Sequence, residues 1–163
     1  MSGNGWVRPD SENIPLSKRA KLIMRLNRNQ INIIKSIEGK KIELFGNILK
    51  IGKSKVKSFL VVKDLFCRFV ISDTKTSEYD FLHKIQTELR NFNINIRKAL
   101  CGKSMLVNFG KETVYTRSLM IADLSKEESL KLQEEGVGEK KLFGCGIFLP
   151  HKSIDAVNNF KED

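Results

Sequence analysis

The chain has 163 residues, 40% of them hydrophobic, and a formal charge of +10. That length holds one compact domain or two small ones, with enough apolar side chains for a core. No apolar run approaches the roughly 20 residues of a membrane-spanning helix, no apolar signal core opens the chain, and the positive balance favours a polyanionic partner.

Cys67, Cys101 and Cys145 are odd in number and far apart, and no C-x-x-C pair occurs. His83 and His151 are not spaced to complete a zinc site. The expectation is reduced, mostly buried thiols in a cytoplasmic protein that uses no metal and no cofactor.

In chain order, residues 1–15 are rich in Gly, Asn, Pro and Asp and read as irregular, with Trp6 as an anchor. "SKRAKLIMRL" (17–26) alternates, and predicts a half-buried strand whose second face carries Lys18, Arg19, Lys21 and Arg25. "NRNQINIIKSIEG" (27–39) predicts a helix, capped by Asn27, striped by Ile31, Ile34 and Ile37, and closed by Gly39. Residues 40–52 read as extended, with Gly46 as a bend or bulge. Strand, helix, strand is the closing part of a ferredoxin-like unit, so residues 1–53 form an incomplete one.

The remainder, 54–163, reads as a complete unit. A strand is strongest at Leu65–Ile71. A helix over 77–92 carries Leu82, Ile85, Leu89 and Phe92 on one stripe. A hairpin turns at Gly110–Lys111. Ser125 and Glu128 make a capping box for a short helix ending at Gly136, and "FGCGIFL" reads as extended. The order β-α-β-β-α-β is ferredoxin-like, or RRM-like. The expected fold class is α+β, with tandem ferredoxin-like units.

"GVGEKKLFGCGIFLPHK" (136–152) holds four glycines around Lys140 and Lys141. It lacks the dinucleotide fingerprint, because position 141 is Lys and a strand rather than a helix is expected to follow. It is not a phosphate loop, whose glycine spacing differs, nor a G-x-x-G loop. Glycines let backbone approach a phosphate closely, and successive N–H groups make an anion-binding concavity. Gly136, Gly138, Gly144, Lys140 and Lys141 are therefore candidate RNA contacts. A tight helix-to-strand connection that needs glycine for sterics alone is the alternative. The basic strand (Lys18, Arg19, Lys21, Arg25) is a second candidate surface, against a merely solvated face. Lys103 and Arg117, with Arg97 and Lys98, are a third.

Gly136-Val137-Gly138, five residues, Gly144-Cys145-Gly146 resembles the C-terminal glycine-rich loop of the CRISPR repeat-processing endoribonucleases, the Cas-six family. "SGNGWVRP", "LSKRAKLIMRL", "RKALCGKSM", "TRSLMIADLSKEESLKLQEEGVG" and "GCGIFLPHK" resemble successive blocks of its Myxan variant, from about Ser2 to Val157. The resemblance implies binding of CRISPR repeat RNA, as a stem-loop, and metal-independent cleavage that leaves a 2′,3′-cyclic phosphate. It implies CRISPR effector subunits as partners; the incomplete first sheet adds a second copy or a complementing N-terminal fragment, and the lack of an apolar span argues against a membrane. In many relatives the working histidine lies on the first helix of the first unit, and this chain begins after that helix would end. His151, which follows the glycine stretch, and His83, beside the apolar stripe of a helix, remain as catalytic candidates. Packing or phosphate binding would explain His151 equally well, and a surface or half-buried place on the helix would explain His83. A catalytically inactive RNA-binding subunit, of a CRISPR or another ribonucleoprotein, is the alternative function.

Overall fold

The computed structural model describes residues 21–151, except Phe45, Thr74, Lys75, Gly110 and Lys111. The chain divides into two compact units, Met1–Lys57 and Ser58–Asp163.

In the first unit a 3-10 turn, Arg28–Gln30, runs into α1, Ile31–Lys35. The Gln30 side chain reaches back to accept the Asn27 N–H at 3.3 Å. Ile31, Ile34 and Ile37 are half-buried, at the expected helical spacing. β1 (Lys41–Leu44) and β2 (Asn47–Lys50) then pair antiparallel, with Lys41 opposite Lys50 and Leu44 opposite Asn47. Gly46 lies in their connection at φ +74°, a conformation that tight hairpin turns draw on. Residues 40–52 are therefore a hairpin, not one strand bent at Gly46.

A second correction concerns the basic strand. Residues 21–26 form no strand, and Leu22 and Ile23 are 80% and 83% exposed. Alternation alone does not make a strand; its N–H groups need a neighbouring ladder and its apolar face needs cover. Lys21 and Arg25 thus lie on irregular backbone, and Lys18 and Arg19 fall outside the described residues.

The second unit contains β3 (Leu65–Ile71), α2 (Glu78–Arg90), β4 (Lys98–Cys101), β5 (Met105–Phe109), β6 (Glu112–Ala122), α3 (Lys126–Glu135) and β7 (Leu149–Pro150). The order across the sheet is β4-β6-β3-β7, antiparallel throughout, and β5 also pairs with β6. β6 is long enough to hold both: Lys98–Cys101 face Leu119–Ala122, and Met105–Phe109 face Glu112–Thr116. With β4 and β5 counted as one interrupted strand, the last strand lies beside the first, which is the ferredoxin-like order. The chain is α+β, and this unit has the expected fold.

Local chemistry sets the helices. The Ser77 hydroxyl accepts the Asp80 N–H at 3.1 Å to start α2. Ser125 and Glu128 exchange bonds of 3.1 and 2.8 Å at the start of α3. Phe81, Ile85 and Leu89 of α2 join Leu65, Cys67 and Val70 of β3, Leu119 and Ile121 of β6, and Leu132 of α3 in one core. Leu82 and Phe92 border it, so the stripe of α2 centres one residue away from the expected line. Leu149, Phe66, Met120 and Leu100 are successive cross-strand partners on the opposite sheet face.

β3 carries a bulge between Cys67 and Val70, where two residues face one on β6. The bulge turns the Phe69 carbonyl outward, where it accepts the Gly146 N–H at 2.7 Å. The glycine stretch is docked there.

Candidate nucleic-acid interface

The stretch makes two passes. The inner pass begins where α3 ends. Gly136, at φ +62°, is buried and gives its N–H to Leu132 at 2.9 Å. Val137 gives its N–H to the Gly146 carbonyl at 3.0 Å. A Cβ on Gly146 would lie 1.7 Å from the Val137 oxygen, and one on Gly136 would lie 2.4 Å from the Gly146 oxygen. These two glycines allow two backbone segments to touch, so packing accounts for Gly136. The Gly138 N–H is also engaged: the Glu88 carboxylate of α2 accepts it through Oε1 at 2.8 Å and Oε2 at 3.1 Å.

The outer pass is a turn. Lys140 (φ +55°) and Gly144 (φ +86°) flank a 3-10 turn, Lys141–Phe143. The positive φ values reverse the chain, which is why "FGCGIFL" is not extended and strand resumes only at Leu149. Phe143 and Cys145 return their N–H groups to the Lys140 carbonyl at 2.9 and 3.3 Å. Lys140 Nζ meets Glu112 Oε2 at 2.7 Å. Its charge is thereby shared with a carboxylate, whereas Lys141 and Gly144 are exposed. Leu142 is fully exposed and Phe143 67% exposed. The Phe143 ring meets Phe109 of β5 edge-on, centroids 5.5 Å apart.

The third basic group is largely engaged inside the unit. Arg117 donates to the Thr76 and Gly102 carbonyls at 3.0 and 3.1 Å and lies 5.9 Å from the Phe81 ring. Arg97 pairs with Glu128 at 2.7 Å, and that bond, first among its causes, holds the Glu128 carboxyl down at about 2. This pair sits in a surface depression of about 450 Å³, where Lys131 is also tied, to Glu135 at 2.9 Å. Lys98 bridges to Asp123 at 2.7 Å. Lys103 is exposed between β4 and β5.

The histidines stand apart. His83 is exposed on α2, stacked against Tyr79 with centroids 6.3 Å apart. It lines a small depression with Leu82, Gln86, Ile96 and Ala99. His151 follows β7; its N–H bonds the Asp64 carbonyl at 3.0 Å, and its ring lies 5.8 Å from Phe66. Phe66 is on the sheet face opposite the helices, so the two histidines occupy opposite sides of the sheet.

Burial raises all three thiols, Cys67 to about 11, so they stay protonated near neutral pH. Among the described residues no group of His, Cys, Asp and Glu could hold a metal ion, and no helix is long and apolar enough to cross a membrane.

Sequence reasoning missed Glu88, Glu112, Phe109 and Phe143. Glu88 lies fifty positions from Gly138, and no local pattern links them. Phe143 carries a readable signal, an aromatic two positions after a lysine pair and inside a glycine frame.

A family model described as Cas6 Crispr matches residues 2–153. The chain is 28% identical over 109 residues to the CRISPR-associated endonuclease Cas6 of Myxococcus xanthus (strain DK1622). The match covers 67% of this chain and 47% of that protein, so the chain matches about half the relative's length.

Proposed function

Because the chain belongs to the Cas6 family, we propose that it binds CRISPR repeat RNA, as a stem-loop, and takes part in processing precursor CRISPR RNA into guides. The observation that carries this reading is the outer turn of the glycine stretch. Its backbone is fixed at both ends and from α2, with the Gly144 N–H closing the turn on the Lys141 carbonyl at 3.0 Å, while residues 141–144 are exposed to solvent. Such a turn brings backbone and one cation to a phosphate at little ordering cost.

The proposed reaction needs no redox step. The ribose 2′-oxygen attacks the adjacent phosphorus, the bond to the 5′-oxygen breaks, and a 2′,3′-cyclic phosphate and a 5′-hydroxyl result. A base takes the 2′-proton, an acid gives a proton to the departing 5′-oxygen, and cations steady the extra charge. His151, at the exposed end of the sheet, is the proton-transfer candidate to test first, and His83 the second.

A second reading is an RNA-holding subunit without cleavage. It is favoured by the separation of His83 and His151 across the sheet, which prevents their acting as an acid–base pair on one phosphate. One experiment separates the readings. Purified protein is incubated with the repeat RNA encoded beside its gene, without metal, and both binding and RNA ends are analysed. Cyclic-phosphate ends lost in His151→Ala support cleavage by this chain; binding without new ends supports the holding role. Failure to bind repeat RNA at all ends both readings. If the interface makes about 6–10 phosphate contacts, affinity falls roughly 10³–10⁵-fold between 50 and 200 mM salt.

A further inference from the structure

The outer turn also shows an apolar side that phosphate binding does not use. Leu142 is fully exposed and Phe143 67% exposed, side by side at the tip of a docked turn. Soluble proteins seldom leave a large aromatic and a leucine together in water without a use for them. Nor is Phe143 a loose side chain. Its N–H is bonded to Lys140, the Lys140 side chain is tied to Glu112, and its ring rests edge-on against Phe109. The exposed Lys141 lies two positions before it.

We infer that Phe143 is a stacking contact for an unpaired nucleobase of the bound RNA, with Lys141 holding a neighbouring phosphate. This deepens the RNA-binding reading and rests on it. The chemistry of the patch favours a nucleic acid over a protein as the occupant. The patch is one aromatic ring with a cation beside it, on a chain of formal charge +10. That is the pairing of backbone cation and base platform that single-stranded segments use. A fixed ring loses little freedom when a base covers it.

The test uses the full chain and its repeat RNA, with uridines replaced by 5-iodouridine. Illumination crosslinks this base to a stacked aromatic side chain, and mass mapping of the peptide locates it. Wild type is expected to crosslink at Phe143. Phe143→Ala is expected to lose that crosslink and about tenfold in affinity, equivalent to 1.4 kcal/mol. Phe143→Tyr, which keeps the ring, is expected to bind within threefold of wild type. Lys141→Ala is expected to keep the crosslink while the log–log salt slope drops by about one.

Normal affinity and an unchanged crosslink map in Phe143→Ala overturn the stacking role and leave RNA binding intact. A wild type that binds no repeat RNA removes the underlying reading as well. A wild-type dimer that becomes monomeric in Phe143→Ala, with RNA affinity unchanged, assigns the patch to self-association and also overturns the inference. Should the alanine variant fold poorly, Phe143→Leu supplies the same comparison: an apolar, non-aromatic side chain that still binds like wild type excludes stacking.

Discussion

The inner and outer passes of the glycine stretch use one residue type for opposite purposes. At Gly136 and Gly146 the missing Cβ lets backbone meet backbone, and both residues are buried. At Gly144 the same absence leaves open space, with nothing within 4 Å of where a Cβ would stand. The inner pass closes α3 onto the bulge of β3; the outer pass presents Lys141 and Phe143. A glycine-rich signature is therefore two devices in series, a clasp and a display. Mutations should separate them.

The largest effect is expected at the clasp. Gly146→Ala would put a methyl 1.7 Å from the Val137 oxygen at φ +67°, so backbone must move. Steric overlap and left-handed strain together place the loss at about 3 kcal/mol or more. Urea unfolding measures it, and the folded fraction should still bind repeat RNA with wild-type affinity. A stable Gly146→Ala protein with impaired binding would reverse the assignment of the two passes.

Next in size is the link that fixes the display to α2. Glu88→Ala removes the carboxylate that accepts the Gly138 N–H twice. A lost hydrogen bond to a charged group is worth about 1.5–3 kcal/mol. Part of that should appear as faster amide exchange at Gly138, followed by hydrogen-exchange mass spectrometry. RNA affinity should fall as the turn loosens, and Glu88→Gln, which retains an acceptor, should restore part of it. Equal exchange in Glu88→Ala and wild type would show that the clasp alone holds the turn.

These contrasts also explain what could be read from the sequence. β3, α2 and α3 were legible because their signals are local: an apolar run at Leu65–Ile71, a Ser77 cap, and the Ser125–Glu128 box. The β-α-β-β-α-β order followed from them. What escaped depends on distant partners. The alternation of residues 21–26 resembled a strand, but among the described residues no strand pairs with it. Gly46 was legible as a bend but not as a hairpin turn, since both uses draw on positive φ. Arg117 read as a surface cation, yet the carbonyls of Thr76 and Gly102, far away in sequence, hold it. The candidate site was legible as a stretch, while its division into clasp and display needed the Phe69 and Glu88 contacts.

Acid should attack the scaffold behind the clasp. Glu128 anchors the start of α3, and its folded carboxyl is held down at about 2 from an ordinary 4.5, first by Arg97. A depressed carboxyl contributes stability that is complete above the unfolded value and is lost as pH falls toward the folded one. The melting temperature should therefore decline between about pH 4.5 and 2, by an amount below the Gly146→Ala effect. Glu128→Gln should start lower at neutral pH and lose most of that decline. A variant whose pH profile parallels wild type would remove Glu128 as the source.

The smallest stability effect, and the sharpest test of the comparison, comes from Gly138→Ala beside Gly144→Ala. Both positions have positive φ, +66° and +86°, and neither has a close neighbour; the nearest atom to a Cβ on Gly138 is Val70 Cγ1 at 4.0 Å. Each substitution therefore costs roughly 1 kcal/mol of left-handed strain, with no steric overlap added. The two should melt alike. They should differ toward RNA through exposure, since both N–H groups are engaged: Gly138 is half-buried and held by Glu88, whereas Gly144, whose N–H closes the turn on the Lys141 carbonyl at 3.0 Å, is exposed with open space above it. A methyl on Gly144 stands where a phosphate would approach, and affinity should drop about tenfold. Gly138→Ala should bind within twofold of wild type. Matched melting curves with unequal titrations would place the RNA contact on the outer pass. Equal affinity losses in the two variants would mean that Glu88 yields the Gly138 N–H to RNA, and the boundary between clasp and display would move inward to Val137.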